Sequence, residues 1–205
     1  MFNQLHLGLA FPDGQYERTR DVGQAREAFE TQLAMLGTDY ADTAYIHCVD
    51  EKEDFEDVYM GGLYEYATGL KEKGDIKQLG FATHTIDIAE RFLAAGGFDM
   101  CLFSINPAYD FDPVANLAFE GLHAPDDVPE NASRRRYAFY DDCARQGVGI
   151  TVMKAYGGGA LLGSTSPLGQ PMTVAQCIQY ALDRPSVLSV IAGINSRSQL
   201  EDALH

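Results

Sequence analysis

A chain of 205 residues that is 46% hydrophobic and 22% charged, with 20 Gly and 8 Pro, has the length of one globular domain; disordered, collagen-like and coiled-coil readings are excluded. Its 15 Lys and Arg stand against 30 Asp and Glu, a formal charge of −15. A surface that acidic repels phosphate backbones and anionic headgroups, so no nucleic acid and no membrane partner is expected.

Along the chain, short apolar runs alternate with longer amphipathic stretches. Leu5 to Ala10 has strand length and leads into a Pro-Asp-Gly turn at 12–14. Asp21 is the expected N-cap of a helix whose stripe Val22, Ala25, Phe29, Leu33, Leu36 ends at Gly37. Ala44 to Val49 reads as the next strand. Phe55, Val58, Tyr59, Leu63, Tyr66 and Leu70 then read as one helix, closed by Lys71, Lys73 and Gly74. A strand over Ile76–Thr83, a helix over Ile86–Ala95 and a strand over Met100–Asn106 follow. An irregular connection over 107–133 carries Pro107, Pro113, Pro125 and Pro129, together with an acidic run at Asp126, Asp127 and Glu130. Beyond it come a helix near Arg135–Gln146 and a strand over Gly149–Tyr156. Thr173 and Gln176 have capping-box spacing at the head of a helix that stops before Pro185. Val187–Ile194 is the last strand, and Ser196 and Gln199 repeat the spacing into a terminal helix. Arg134, Arg135 and Arg136 read as a solvated helix face.

Six βα units with near-continuous apolar strands imply a parallel sheet covered on both faces. No GxGxxG follows the first strand and no GxxxxGK[ST] occurs, against a doubly wound nucleotide fold. Polar and glycine residues gather instead where many strands end, as in a barrel enzyme. The fold class expected is α/β, an incomplete (β/α)8 TIM barrel of about six βα units filling residues 1–205. Strands begin about every 37 residues, so eight units would need about 290. The open first and last strands invite self-association.

The four cysteines, Cys48, Cys101, Cys143 and Cys177, are far apart with no CxxC, so no iron–sulfur cluster is expected. Reduced thiols and the lack of a basic or apolar leader at Met1 make the cytoplasm the expected location. His47, Cys48 and Asp50 are ligand-type residues, but alternation along a strand would send neighbours to opposite faces, which argues against a metal site.

Leu36-Gly37-Thr38-Asp39-Tyr40 running into Tyr45-Ile46-His47 resembles the L-x-T-D-Y-I-D-x-x-x-x-H stretch of aldo/keto reductases. Leu70 to Ile76 with Leu79-Gly80-Phe81-Ala82 resembles the family's L-K-x-x-G-K-I-R-x-I-G-x-S. The stretch Gly147 to Gly159, and the ending Tyr180 to Gly193, continue the likeness in order. The Met153-Lys154 and triple-Gly wording and Ser104-Ile105-Asn106-Pro107 are most similar to the subgroup with a C-terminal ferredoxin-like tail, though no such tail is expected among these 205 residues. The units present would correspond to strands 3 to 8, as in an N-terminally truncated member.

The resemblance implies NADP(H) or NAD(H) as cofactor and reduction of a small carbonyl substrate, with Tyr as proton donor, Asp and Lys tuning it and His orienting the carbonyl. His47 matches the family His; outside that motif, a strand-end histidine is most often a core residue. The Asp and Tyr would precede this chain, and no Lys lies on its first strand, where His6 is the ionisable group, either a substitute or structural. Cofactor contacts implied are Thr83 and Asn106 at the nicotinamide, although Ala82 stands where the family has Ser. Gly157, Gly158 and Gly159 with Lys154 would lie at the pyrophosphate, and Gly193, Ser196 and Arg197 at the adenosine phosphate. The same glycines could form a plain turn, and Ser196 a plain cap. The function expected is therefore an NAD(P)H-dependent oxidoreductase of this type, impaired alone; the alternative is a non-catalytic cofactor-binding or interaction module completed by another chain. A phosphate-binding isomerase or lyase on the same barrel is a third reading.

Overall fold

The computed structural model describes residues 2–111 and 132–204. Pro113, Pro125, Pro129, Asp126, Asp127 and Glu130 lie outside the described residues. The chain has an α/β fold with six parallel strands in the sequential order of consecutive βα units of an α/β barrel. It divides into two compact units, Met1–Leu102 and Phe103–His205.

In the first unit, β1 (Gln4–Leu7) and β2 (Leu9–Ala10) replace the single expected strand. Gly8 separates them at φ +81°, a left-handed position. Beyond a 3₁₀ turn at Pro12–Gly14 the chain doubles back as β3 (Glu17–Arg18), antiparallel to β2. Asp21 then caps α1 (Val22–Leu36), its Oδ1 accepting from Gln24 N at 2.8 Å, and Gly37 ends it left-handed, both as the sequence predicts. β4 (Ala41–Ile46) pairs in parallel with β1 and with β5 (Ile76–Thr83).

Between β4 and β5 the expected single helix is two, α2 (Lys52–Met60) and α3 (Leu63–Lys73). Gly62 at φ +81° breaks them, because a left-handed residue cannot continue a right-handed helix. α4 (Ile86–Ala95) has the bounds the sequence predicts.

The core of this unit is aromatic. Phe92 stacks on Phe81 at 4.7 Å between centroids and meets Phe55 and Phe98 edge-on. Across β4 and β5, Tyr45 opposes Gly80; a Cβ there would lie 2.5 Å from the tyrosine ring, so the glycine is what admits it. The outer edge of β1 is partly covered. Gln32 of α1 donates to His6 O at 2.8 Å and accepts from His6 N at 3.1 Å, where a neighbouring strand would otherwise bond.

β6 (Met100–Ser104) crosses the division and ends two residues earlier than expected. In the second unit, α5 (Pro107–Phe111) begins at once, so 107–111 is helical where an irregular run was expected. α6 (Ala132–Gln146) follows, then β7 (Gly149–Met153), a 3₁₀ segment Gly157–Leu162, α7 (Val174–Leu182), β8 (Val187–Val190) and α8 (Arg197–Leu204). β7 and β8 pair in parallel, and Thr173 and Gln176 form the expected capping box. β8 stops at Val190 and leaves Leu188 66% exposed, with Ile191 and Ile194 also exposed.

Arg136 corrects the expectation of a solvated arginine face. It is buried, and its Nε donates to Asp110 at 2.8 Å. The same carboxylate accepts from Tyr140 OH at 2.6 Å and Tyr180 OH at 2.8 Å, so one anion ties α5, α6 and α7 together. Burial pushes the Tyr140 phenol well above its ordinary range, keeping it a donor. Arg136 also donates to Ser104 O and lies over the Phe103 ring at 4.6 Å. Arg136→Met strands a buried carboxylate and is expected to lower stability by about 3–5 kcal/mol in urea unfolding. An unchanged midpoint for the single variant would refute this role.

Candidate functional site

The first unit gathers ionisable groups where β1 and β4 end. β4 stops at Ile46, one residue before His47, and His47 N bonds to Leu7 O at 2.9 Å. Its ring bridges two partners. Nδ1 lies 3.1 Å from His6 Nδ1, and Nε2 lies 2.5 Å from Tyr16 OH. Both ring contacts are edge-on, at 4.7 and 5.5 Å between centroids. The structure therefore brings the two predicted histidines together and adds a tyrosine that sequence reasoning missed. The signal was present in the Pro-Asp-Gly turn, since a turn directly after a strand can fold the chain back over that strand's end. Tyr16 sits in the returning limb, 55% exposed.

The electrostatics suit a hydrogen-bonded relay between neutral groups. Burial, then the nearby His6 and Arg20, bring His47 down to about 4, and burial also lowers His6. Burial and Cys48 raise the Tyr16 phenol despite the opposing pull of Arg18 and Arg20. Three neutral groups in line leave two directions of donation. Either Tyr16 donates to His47 and His47 to His6, or each bond runs the other way.

A guanidinium holds this arrangement. Arg20 makes two bonds to Asp54, at 2.6 and 2.7 Å, and donates to the carbonyls of His47 and Cys48 at 3.0 and 3.1 Å. Arg18 donates to Cys48 O at 3.0 Å as well. A Cβ at Gly8 would come within 2.7 Å of the Arg20 guanidinium, so that glycine provides both the turn and the space.

The loop after β4 also departs from the strand geometry that argued against a ligand cluster. Cys48 takes a left-handed φ of 48° beyond the end of β4, and Cys48 and Asp50, two residues apart, converge with His84 from the end of β5. Asp50 Oδ1 accepts from Thr83 Oγ1 at 3.0 Å and from His84 N at 2.7 Å, while Oδ2 lies 2.9 Å from His84 Nδ1. Burial would raise the Asp50 carboxyl, but the His84 and Thr83 donors and the His84 charge outweigh it and bring it to about 2.

Thr83 is fully buried with its hydroxyl on Asp50. In the second unit, Asn106 is fully buried too. Its Nδ2 donates to Lys154 O at 2.8 Å and its Oδ1 caps Tyr109 N at 2.9 Å, so it braces two strand-end segments. Lys154 is exposed at φ 59°. Gly157, Gly158 and Gly159 all have positive φ; nothing lies within 4 Å of a Cβ built on Gly158 or Gly159, which leaves their backbone open to approach. Gly193 is equally open. Ser196 Oγ accepts from Gln199 N at 3.2 Å as a helix cap, and exposed Arg197 pairs with Glu201 at 2.9 Å.

Several solved structures share this fold. PA4992, assigned as an aldo-keto reductase of Pseudomonas aeruginosa, matches with a TM-score of 0.63 and 20% identity, over 98% of this chain and 64% of that one. The aldo-keto reductase AKR11C1 from Bacillus halodurans in its holo form matches with a TM-score of 0.63 and 15% identity, over 100% of this chain and 66% of that one. This chain thus spans less than two thirds of the length of PA4992. At such identities the likeness speaks for the fold alone. The sequence itself matches the model of the aldo/keto reductase family over residues 11–175, and on that match the chain belongs to this family.

Proposed function

We propose that the chain is an NAD(P)H-dependent oxidoreductase that reduces a small carbonyl compound to an alcohol, with Tyr16 as the proton donor. The observation that carries this reading is the line Tyr16 OH, His47 Nε2, His47 Nδ1, His6 Nδ1, at 2.5 and 3.1 Å. A family chemistry that needs a phenol beside a histidine finds one here in a hairpin.

As negative charge develops on the carbonyl oxygen, the Tyr16 O–H bond breaks and its proton passes to that oxygen. His47 Nε2–H then returns a proton to the phenolate, His47 Nδ1 takes one from His6 Nδ1–H, and His6 is reprotonated from solvent. Arg18 and Arg20, whose charges already act on Tyr16, favour the transient phenolate in place of the missing lysine.

A nicotinamide cofactor, when bound, supplies the two-electron reductant. The open backbone at Gly158 and Gly159 with exposed Lys154 beside it, and the open Gly193 before Ser196 and Arg197, fit phosphate groups. Lys154, Gly157, Gly158, Gly159, Gly193, Ser196 and Arg197 are the residues that would hold them. Asn106, whose amide donates to Lys154 O, positions the first of these segments, while Thr83 is engaged with Asp50.

Tyr16→Phe is expected to lower kcat for NADPH-dependent reduction of an aldehyde or quinone by about 10²–10⁴ while leaving NADPH binding unchanged. His6→Ala, which shortens the relay, is expected to cost less than Tyr16→Phe. Wild-type turnover that survives Tyr16→Phe would overturn the assignment. The exposed apolar residues along and after β8 favour a second reading, a cofactor-binding module that pairs with another copy of itself. That reading predicts a dimer in sedimentation and saturable NADPH binding without oxidation; a monomer that turns over NADPH refutes it.

A further inference from the structure

The cluster Cys48, Asp50 and His84 carries a property that carbonyl reduction does not require. A thiol, a carboxylate and an imidazole each offer one ligand atom, and the three atoms lie within 4.8 Å of one another. Soft sulfur together with nitrogen and oxygen is the donor set of zinc-class cations, not of magnesium or calcium, which prefer oxygen alone. Three protein ligands with a fourth position left to water is the pattern of an open zinc site.

The distances are close to what a tetrahedral ion needs. Metal–ligand bonds of about 2.0–2.3 Å set ligand atoms about 3.3–3.8 Å apart. Cys48 Sγ lies 3.4 Å and His84 Nδ1 2.9 Å from the same oxygen, Asp50 Oδ2. In the metal-free cluster, the sulfur and the ring nitrogen both meet this oxygen across hydrogen bonds. A cation placed among them replaces those bonds with three coordinate bonds: the nitrogen–oxygen pair spreads by a few tenths of an ångström, and the sulfur and ring nitrogen, which lie within 4.8 Å of each other, close on the ion.

The surroundings fix the donors before any ion arrives. Asp50 Oδ1 is held by Thr83 Oγ1 and His84 N, which aims Oδ2 at the other two donors. Thr85 Oγ1 donates to Asp50 O at 3.3 Å. Cys48 is one of few non-glycine residues with positive φ among those described. Arg18 and Arg20 both donate to its carbonyl, so that the backbone turns its sulfur toward Asp50. A residue held in a sparsely populated conformation by two arginines is a built feature. All three ligands are half-buried, sheltered yet within reach of solvent.

We propose that Cys48, Asp50 and His84 form a binding site for one zinc-class divalent cation per chain, with water completing the coordination. On binding, the Cys48 S–H bond breaks and its proton passes to the buffer as sulfur coordinates as thiolate; the proton that His84 Nδ1 shares with Asp50 leaves that nitrogen through solvent, a neutral ring taking one up on Nε2, so that the Nδ1 lone pair meets the ion. The site stands on its own geometry and does not depend on the chain's reductase activity.

Cobalt(II) is the probe, because a thiolate ligand gives a near-ultraviolet charge-transfer band that nitrogen and oxygen ligands do not. Titration of the purified chain with cobalt is expected to raise this band to saturation at one ion per chain, and stoichiometric zinc is expected to remove it. Cys48→Ser abolishes the band. His84→Gln keeps the thiolate but weakens cobalt binding by at least about 10²-fold, and Thr83→Val, which frees the carboxylate, weakens it by about 10–100-fold. No saturable band in the wild-type chain overturns the proposal. A band that persists in Cys48→Ser, drawn from Cys101, Cys143 or Cys177, overturns it equally.

Discussion

The bidentate grip of Arg20 on Asp54 is the interaction on which the candidate site depends. One guanidinium, nearly buried, joins the segment after the hairpin to α2 and has donors left for the carbonyls of His47 and Cys48. Those carbonyls follow the end of β4, where the parallel ladder no longer supplies partners. Without such donors these two carbonyls would lose their partners. With them, His47 points back toward His6 and the left-handed turn at Cys48 is stabilised. Hydrogen bonds to a charged group contribute more than neutral ones, about 1.5–3 kcal/mol each, enough to hold an unfavourable φ at one residue.

Around this grip the site is assembled from parts that are remote in sequence. Gly8 ends β1 and makes room for the guanidinium, the hairpin carries Tyr16 over the strand end, and β1 and β4 set His6 beside His47. The second unit uses the same device with the charges exchanged. There one buried carboxylate, Asp110, gathers Arg136, Tyr140 and Tyr180 from successive helices. In both units a single charged group satisfied on several sides organises the connections between more regular elements. Such groups are hard to replace singly, because removal of one partner leaves the others desolvated and unpaired.

Much of the fold was legible because its signals are local. The Asp21 cap, the left-handed Gly37 and Gly74, the Thr173 capping box and the bounds of β5 and α4 depend on neighbours within one or two helical turns. Three of the differences share one cause. The sequence pattern runs the strands on through 8–10, 47–49 and 154–156, where Gly8, Cys48 and Lys154 take positive φ and interrupt the ladder. Periodicity reports which residues are apolar, not where a backbone turns left-handed.

The sequence by itself determined the family and the alternation of strand and helix, and it offered His47 and His6 as candidates, since each rests on order and spacing along the chain. Only the tertiary structure decided which side chains meet. Tyr16 lies 31 residues from His47 and His84 lies 34 from Asp50, and both encounters are made by turns whose φ values no composition or spacing encodes. A hydrogen bond needs its atoms placed to within a few tenths of an ångström, and that placement comes from strand register, a hairpin and one arginine acting together.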